Sequence, residues 1–194
     1  LNTDIVAQCI GTLPKSFRSP RLFGGTDVVN ALEELEYETD ASLPMYYYGE
    51  RVEPYHPDAS DWTEVGEMRL LEVPNFCDLS MDSSDDFGRD RDQWPLFRTK
   101  GVKALMKHVD GHLQYLAQRC DADVLCFYLH PWEFVQQPSE PYFFGEGWVQ
   151  PLPFITENCG DVALSALREM IGELKRRGFE FKTCHGLYQE YAEI

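Results

Sequence analysis

The residue types best placed for chemistry are a histidine, an arginine and an aspartate. His130 ends the apolar run Val124-Leu125-Cys126-Phe127-Tyr128-Leu129 and is followed at once by Pro131. An imidazole ordinarily titrates at about 6.5, so it can give or take a proton near neutral pH. Arg18 stands in Ser16-Phe17-Arg18-Ser19-Pro20. A guanidinium there could hold a carboxylate through two parallel N–H bonds and so orient a catalytic acid. Asp40 closes Tyr37-Glu38-Thr39-Asp40 ahead of Ala41-Ser42, either as a turn-forming aspartate or as the wall of a site. At this level the plainer alternatives stay open: a histidine satisfied at a strand-to-loop corner, and an arginine in a surface ion pair.

The elements that must position these residues read as follows. The run 124–129 is a short buried strand, because interior strands show as near-continuous apolar stretches. Proline cannot donate to a sheet ladder, so the strand ends at His130, where α/β folds collect catalytic groups. Ser16 to Arg21 is a short extended piece that Pro20 closes, since proline biases Ser19 away from helix. Residues 37–43 and 68–74 are further strands, the second ending at Pro74. Between strands lie helical stripes. Ile5, Val6, Cys9 and Ile10 form a helix tail that Gly11 and Pro14 stop. Val28, Val29, Ala31, Leu32 and Leu35 follow an N-cap at Gly25 or Thr26. Val102, Leu105, Met106, Val109, Leu113 and Leu116 form the inner face of a helix over 101–119. A last long helix runs from about Gly160 to Arg177, capped near Asn158 and ended by Gly178. A closing strand over 179–183 and a short helix over 186–192 complete the chain. Strands alternating with helices make the fold class α/β.

Two further clusters have ligand-like spacing. His108 and His112 share a helix face and could bind a metal together, but mid-helix they should point to the surface. Residues 78–92 contain Asp78, Asp82, Asp85, Asp86, Asp90 and Asp92. An EF-hand needs Asp or Asn at positions 1, 3 and 5 and Gly at position 6. With Gly88 in the sixth place, Phe87 falls in the fifth, so the stretch reads as a solvated loop. The aromatic segment 44–62 (Tyr46, Tyr47, Tyr48, Tyr55, His56, Trp62) could stack on sugar rings or pack loops. The aromatic loop 136–153, following His130, should shape a cleft.

His130-Pro131-Trp132-Glu133 at a strand end resembles the last catalytic motif of the polysaccharide deacetylases (NodB-homology domain), in the branch carrying His-Pro-Trp-Glu. Phe17-Arg18-Ser19-Pro20 resembles the third motif of the same family, and Asp40-Ala41-Ser42 and the 68–74 strand have counterparts there. Where that family has a glycine at the helix end before Asp40, this chain has Glu36. The resemblance implies the C-terminal portion of a distorted (β/α) barrel with its site at the carboxyl ends of the strands. It implies His130 as the general acid that protonates the leaving amine and Arg18 as partner of a catalytic aspartate. Asp40, Trp132, Tyr55 and Pro20 would contact the substrate, an N-acetylated sugar polymer or oligomer. The cofactor would be a divalent metal, zinc or similar. Its ligands, a paired-aspartate strand and a His-x-x-x-His loop, should precede Arg18 and are not in this sequence. His108 and His112 come about 90 residues after Arg18 and do not match that loop. With the start at Leu1 in mid-helix, residues 1–194 are expected to be one domain, incomplete on its N-terminal side. Such a chain supplies the acid half of a site and by itself should be inactive. A cyclic amide or ureide hydrolase on the same fold, and a non-catalytic carbohydrate-binding remnant, are the other readings.

Composition narrows the partners. Seventeen basic against 33 acidic residues give a formal charge of −16, which repels phosphate backbones and argues against nucleic acid. No apolar run approaches the ~20 residues a membrane helix needs, and no signal peptide is read at the N-terminus. The six cysteines (Cys9, Cys77, Cys120, Cys126, Cys159, Cys184) show no zinc-type spacing. They read as small core residues in a reducing, cytoplasmic compartment.

Overall fold

The computed structural model describes residues 2–86, 88, 90–120 and 124–191. In chain order the elements are helix α1 (Asn2–Ile10), strand β1 (Ser16–Phe17), helix α2 (Thr26–Glu34) and strands β2 (Thr39–Asp40) and β3 (Leu71–Glu72). Helices α3 (Gln93–Thr99) and α4 (Val102–Leu116), strands β4 (Tyr142–Phe143) and β5 (Trp148–Val149), and helices α5 (Pro153–Thr156), α6 (Asp161–Arg176) and α7 (Cys184–Tyr191) follow. Short 3-10 turns occupy Pro20–Leu22 and Pro131–Phe134. The structure is mixed α/β with a small parallel sheet. Among the described residues the strands do not close a barrel. The chain forms two compact units: Leu1–Asn75 with Cys120–Cys126 and Phe181–Ile194, and Phe76–Arg119 with Phe127–Glu180.

The first unit is built on the parallel sheet β1-β2-β3, with Phe17 opposite Asp40 and Asp40 opposite Glu72. Parallel neighbours need a crossover, and α2 supplies the one between β1 and β2. Its Val29 and Leu32 are buried with Tyr37, Leu43, Tyr55, Trp62 and Leu70. A second cluster joins Ala41, Leu71 and Val73 to Val124, Cys126, Leu187, Tyr188 and Tyr191. Leu35 lies outside the helix and is exposed. Glu36 then turns the chain with φ 59°, the left-handed conformation that glycine adopts most readily at helix ends.

In the second unit α3, α4 and α6 pack on one another through Phe97, Val102, Leu105, Met106, Val109, Leu116, Ala163, Met170 and Leu174. Asp92 caps α3 by accepting the Trp94 N–H (3.2 Å). The N-cap of α6 is Gly160, two residues after the expected Asn158. Asp161 in its first turn and Lys175 and Arg176 in its last oppose the helix dipole. Residues 142–149 form an antiparallel hairpin, β4 with β5, whose Phe143, Phe144 and Trp148 are exposed.

Several expectations need correction. The run 124–129 is not a buried strand: Cys126 forms one isolated parallel bridge with Asn75, and the run is half-buried. An apolar run reports a need for cover, and side chains can meet it without a ladder. Segment 179–183 is not a strand; Phe181 is exposed, and Thr183 Oγ1 accepts the Gly186 N–H (3.0 Å) at the start of α7. The polar run 78–92 is not wholly solvated, since Asp78 and Asp92 are buried. His112 is not a surface residue but fully buried on α4, edge-on to Phe76 (5.2 Å), while His108 Nδ1 pairs with Asp78 (2.9 Å). Cys77 and Cys159 are core residues, Cys9 is exposed, and none of the six cysteines is in a disulfide. Leu1, Phe87 and residue 192, on which parts of those expectations fall, lie outside the described residues.

Candidate functional site

His130 is held by the turn that follows it. Pro131 opens a 3-10 turn, because its fixed φ suits a first helical position and it has no N–H to satisfy. Glu133 in that turn reaches back so that its Oε1 accepts both the His130 backbone N–H (2.9 Å) and Nδ1 (3.1 Å). This is the glutamate half of a capping box, the Glu133 N–H going to the His130 carbonyl (2.9 Å). A carboxylate acceptor calls for the proton on Nδ1, which leaves Nε2 as the nitrogen for exchange. The His130 side chain is 36% exposed, so that exchange is open to solvent.

Glu133 is itself fixed. Its other oxygen accepts Arg98 Nε (2.7 Å), and both side chains are 0% exposed. Arg98 completes its set by donating to the carbonyls of Glu157 (2.5 Å) and Phe154 (2.8 Å). The Asn158 amide donates to the Arg98 carbonyl (2.9 Å), and the Gly160 N–H to that of Glu133 (2.8 Å). A buried charge pair is tolerable when its remaining donors and acceptors are satisfied, and here they are. The order Arg98, Glu133, His130 is therefore a chain of charge-assisted bonds ending at a half-exposed imidazole.

Aromatic rings enclose that imidazole. Trp94 stands edge-on at 5.0 Å, Tyr128 at 5.8 Å, and Trp132 lies tilted at 5.2 Å. The Tyr128 hydroxyl donates to Asp92 (2.5 Å), and the Arg98 guanidinium lies over the Trp132 ring (5.6 Å). Trp94 also meets Phe154 (6.0 Å), and its Nε1 is buried without a hydrogen-bond partner among the described residues. Rings at this spacing exclude water from one side of the histidine while leaving an apolar wall.

The remaining expected site residues lie in the first unit. Arg18 donates from Nε to the Ala41 carbonyl (2.9 Å) and from Nη2 to Cys126 Sγ (3.0 Å). Burial holds the Cys126 thiol up at about 11. Asp40 is fully buried beside Glu72, its Oδ1 accepting the Ser42 hydroxyl (2.5 Å). Burial raises both carboxyls above their ordinary range, Glu72 well above it, with Asp40's proximity adding to the rise at Glu72. Tyr55 is in the core; its hydroxyl donates to the Trp62 carbonyl (2.6 Å), and burial raises its phenol. Pro20 is exposed at the start of its 3-10 turn. Within the second unit, Trp132 is an expected substrate residue that stands beside His130.

Sequence reasoning missed Arg98, Glu133, Trp94 and Glu72 as members of these constellations. The i,i+3 spacing of His130 and Glu133 was a readable capping signal, and an acid inside Leu70-Leu71-Glu72-Val73 was a readable anomaly. Arg98 lies 35 residues from Glu133, with no local signal. Among the described residues no group of three or more His, Cys, Asp or Glu could hold a metal ion. No described helix is long and apolar enough to cross a membrane. Comparison with protein-family models, with curated proteins and with solved structures returns no match to this chain.

Proposed function

We propose that this chain supplies the general acid of a deacetylase that hydrolyses N-acetyl amides on a polysaccharide or amino sugar. The observation that carries the reading is the Nδ1 bond from His130 to a carboxylate that is itself locked by a buried arginine. Glu133 sets the tautomer and stabilises the imidazolium, so Nε2 can deliver a proton to a departing amine, a step worth about 10²–10⁴ in rate. The ring wall of Trp94, Tyr128 and Trp132 suits the apolar face of a sugar ring. In this reading the parallel sheet belongs to a distorted (β/α) barrel. The cofactor in this reading is a divalent metal, zinc or similar, whose ligands lie outside the described residues. A reducing, cytoplasmic setting belongs to the same reading.

The test uses the natural full-length protein with N-acetylglucosamine oligomers, reading acetate release, and with a cyclic ureide as the competing substrate. His130→Ala and His130→Gln should lower kcat by about 10²–10⁴ while oligosaccharide affinity stays within a few-fold. Undiminished activity in both variants would remove His130 from the chemistry. Hydrolysis of the ureide alone would move the substrate to cyclic amides, and sugar binding without hydrolysis would make the chain a binding module.

A further inference from the structure

Two acids with no solvent meet at the strand ends of the parallel sheet. Asp40 of β2 and Glu72 of β3 are register partners, and each is 0% exposed. Neighbouring strands lie about 4.8 Å apart with partner side chains on one face. Glu72 Oε1 accepts the backbone N–H groups of Ser42 (3.0 Å) and Leu43 (2.9 Å), so the turn after β2 hangs on it. Asp40 Oδ1 is taken by the Ser42 hydroxyl. Asp40 Oδ2 and Glu72 Oε2 are left buried, each with no hydrogen-bond donor among the described residues. Two bare carboxylate oxygens in that position would repel each other without water to screen them. One proton between them satisfies both.

We infer that Asp40 and Glu72 share a single proton, and that this carboxyl–carboxylate bond latches the ends of β2 and β3 together. The surrounding groups balance such a pair at one negative charge. Arg18, from the segment after β1, is the cation acting on Asp40. From the segment after β3, Asn75 donates its amide to the Ala41 and Leu43 carbonyls (2.9 and 3.2 Å), leaving the acids alone. Tyr55, whose hydroxyl is committed to Trp62, feels both acids and also Arg51 and Asp61. Cys126 is bound by Arg18 and has Cys184 of α7 near it. The other α7 residues packed against this cluster are Leu187, Tyr188 and Tyr191, while His185 pairs with Glu38.

The latch has a definite pH sense. Its stability is fully present below about 4.5, the ordinary glutamate value, and is lost as pH rises through the raised value in the fold. Over that interval the unfolding equilibrium constant should climb about tenfold per pH unit on account of this one proton. The experiment is isotope-edited infrared spectroscopy of the full protein at neutral pH, paired with urea unfolding from pH 4.5 up into the alkaline range. Wild type should show one buried protonated-carboxyl band. Glu72→Gln and Asp40→Asn should both lose it, and the pH slope of Glu72→Gln should differ from wild type by about one proton. An absent band in wild type, a band surviving in both variants, or an unchanged slope would overturn the inference. So would one equivalent of tightly bound metal in place of the band. If Glu72→Gln does not fold, the wild-type band and Asp40→Asn still decide it. None of these readouts depends on the deacetylase reading.

Discussion

Glu133 holds three partners with two oxygens: the His130 backbone, the His130 ring and Arg98. Removing one member of a buried pair strands the other in an apolar interior. Arg98→Met should therefore destabilise the protein by about 3–5 kcal/mol, read from the urea midpoint at constant m-value. Glu133→Gln keeps an acceptor for Nδ1 but loses the negative charge. It should lower kcat more than it raises KM, since the imidazolium loses its counter-charge. An unchanged kcat in a folded Glu133→Gln protein would reduce Glu133 to a turn cap. Trp94 and Trp132, which touch the histidine only through their rings, set its surroundings rather than its protonation state.

At the scale of the element, α4 shows how one face can carry both packing and a titration. Its apolar positions face inward as their spacing requires, and His112 falls on the same face. Burial lowers its imidazole to about 4 from 6.5, with Asp78 pulling weakly the other way. The unfolded chain takes up this proton below about 6.5 and the folded chain does not. Stability is thus intact above 6.5 and is lost as pH falls through about 4, to a limit of about 3 kcal/mol. His112→Leu should flatten that window in acid unfolding titrations. An unchanged acid slope would place the titration elsewhere.

For the whole molecule the governing quantity is the charge of −16. Among the described residues several cations are drawn into local pairs, such as Arg69 with Glu33 and Arg177 with Glu173 and Asp110. Exposed pairs of that kind contribute little each, whereas the excess negative charge repels itself across the surface. Raising ionic strength from about 0.01 M to about 0.15 M shortens the screening length from about 30 Å to about 8 Å. It should raise the unfolding midpoint and leave polyanion binding undetectable. A midpoint that falls with salt would mean the exposed ion pairs outweigh the self-repulsion.

Sequence alone determined the features that depend on neighbours along the chain. The α2, α4 and α6 stripes, the prolines after Ser19 and Val73 and the α/β character were legible because periodicity and dihedral limits are local, and the charge is a property of composition. His130 was legible as a candidate because a histidine stopping an apolar run is a local anomaly. Tertiary structure decided what gives that histidine its chemistry: Arg98, 35 residues away from Glu133, and the ring wall from Trp94. It also decided that 124–129 is covered by side chains without a ladder, that His112 is interior, and that Asp40 faces another acid. Each of those outcomes turns on which distant groups arrive at hydrogen-bonding distance. No pattern along the chain specifies that pairing, because burial is a demand that many partners can satisfy.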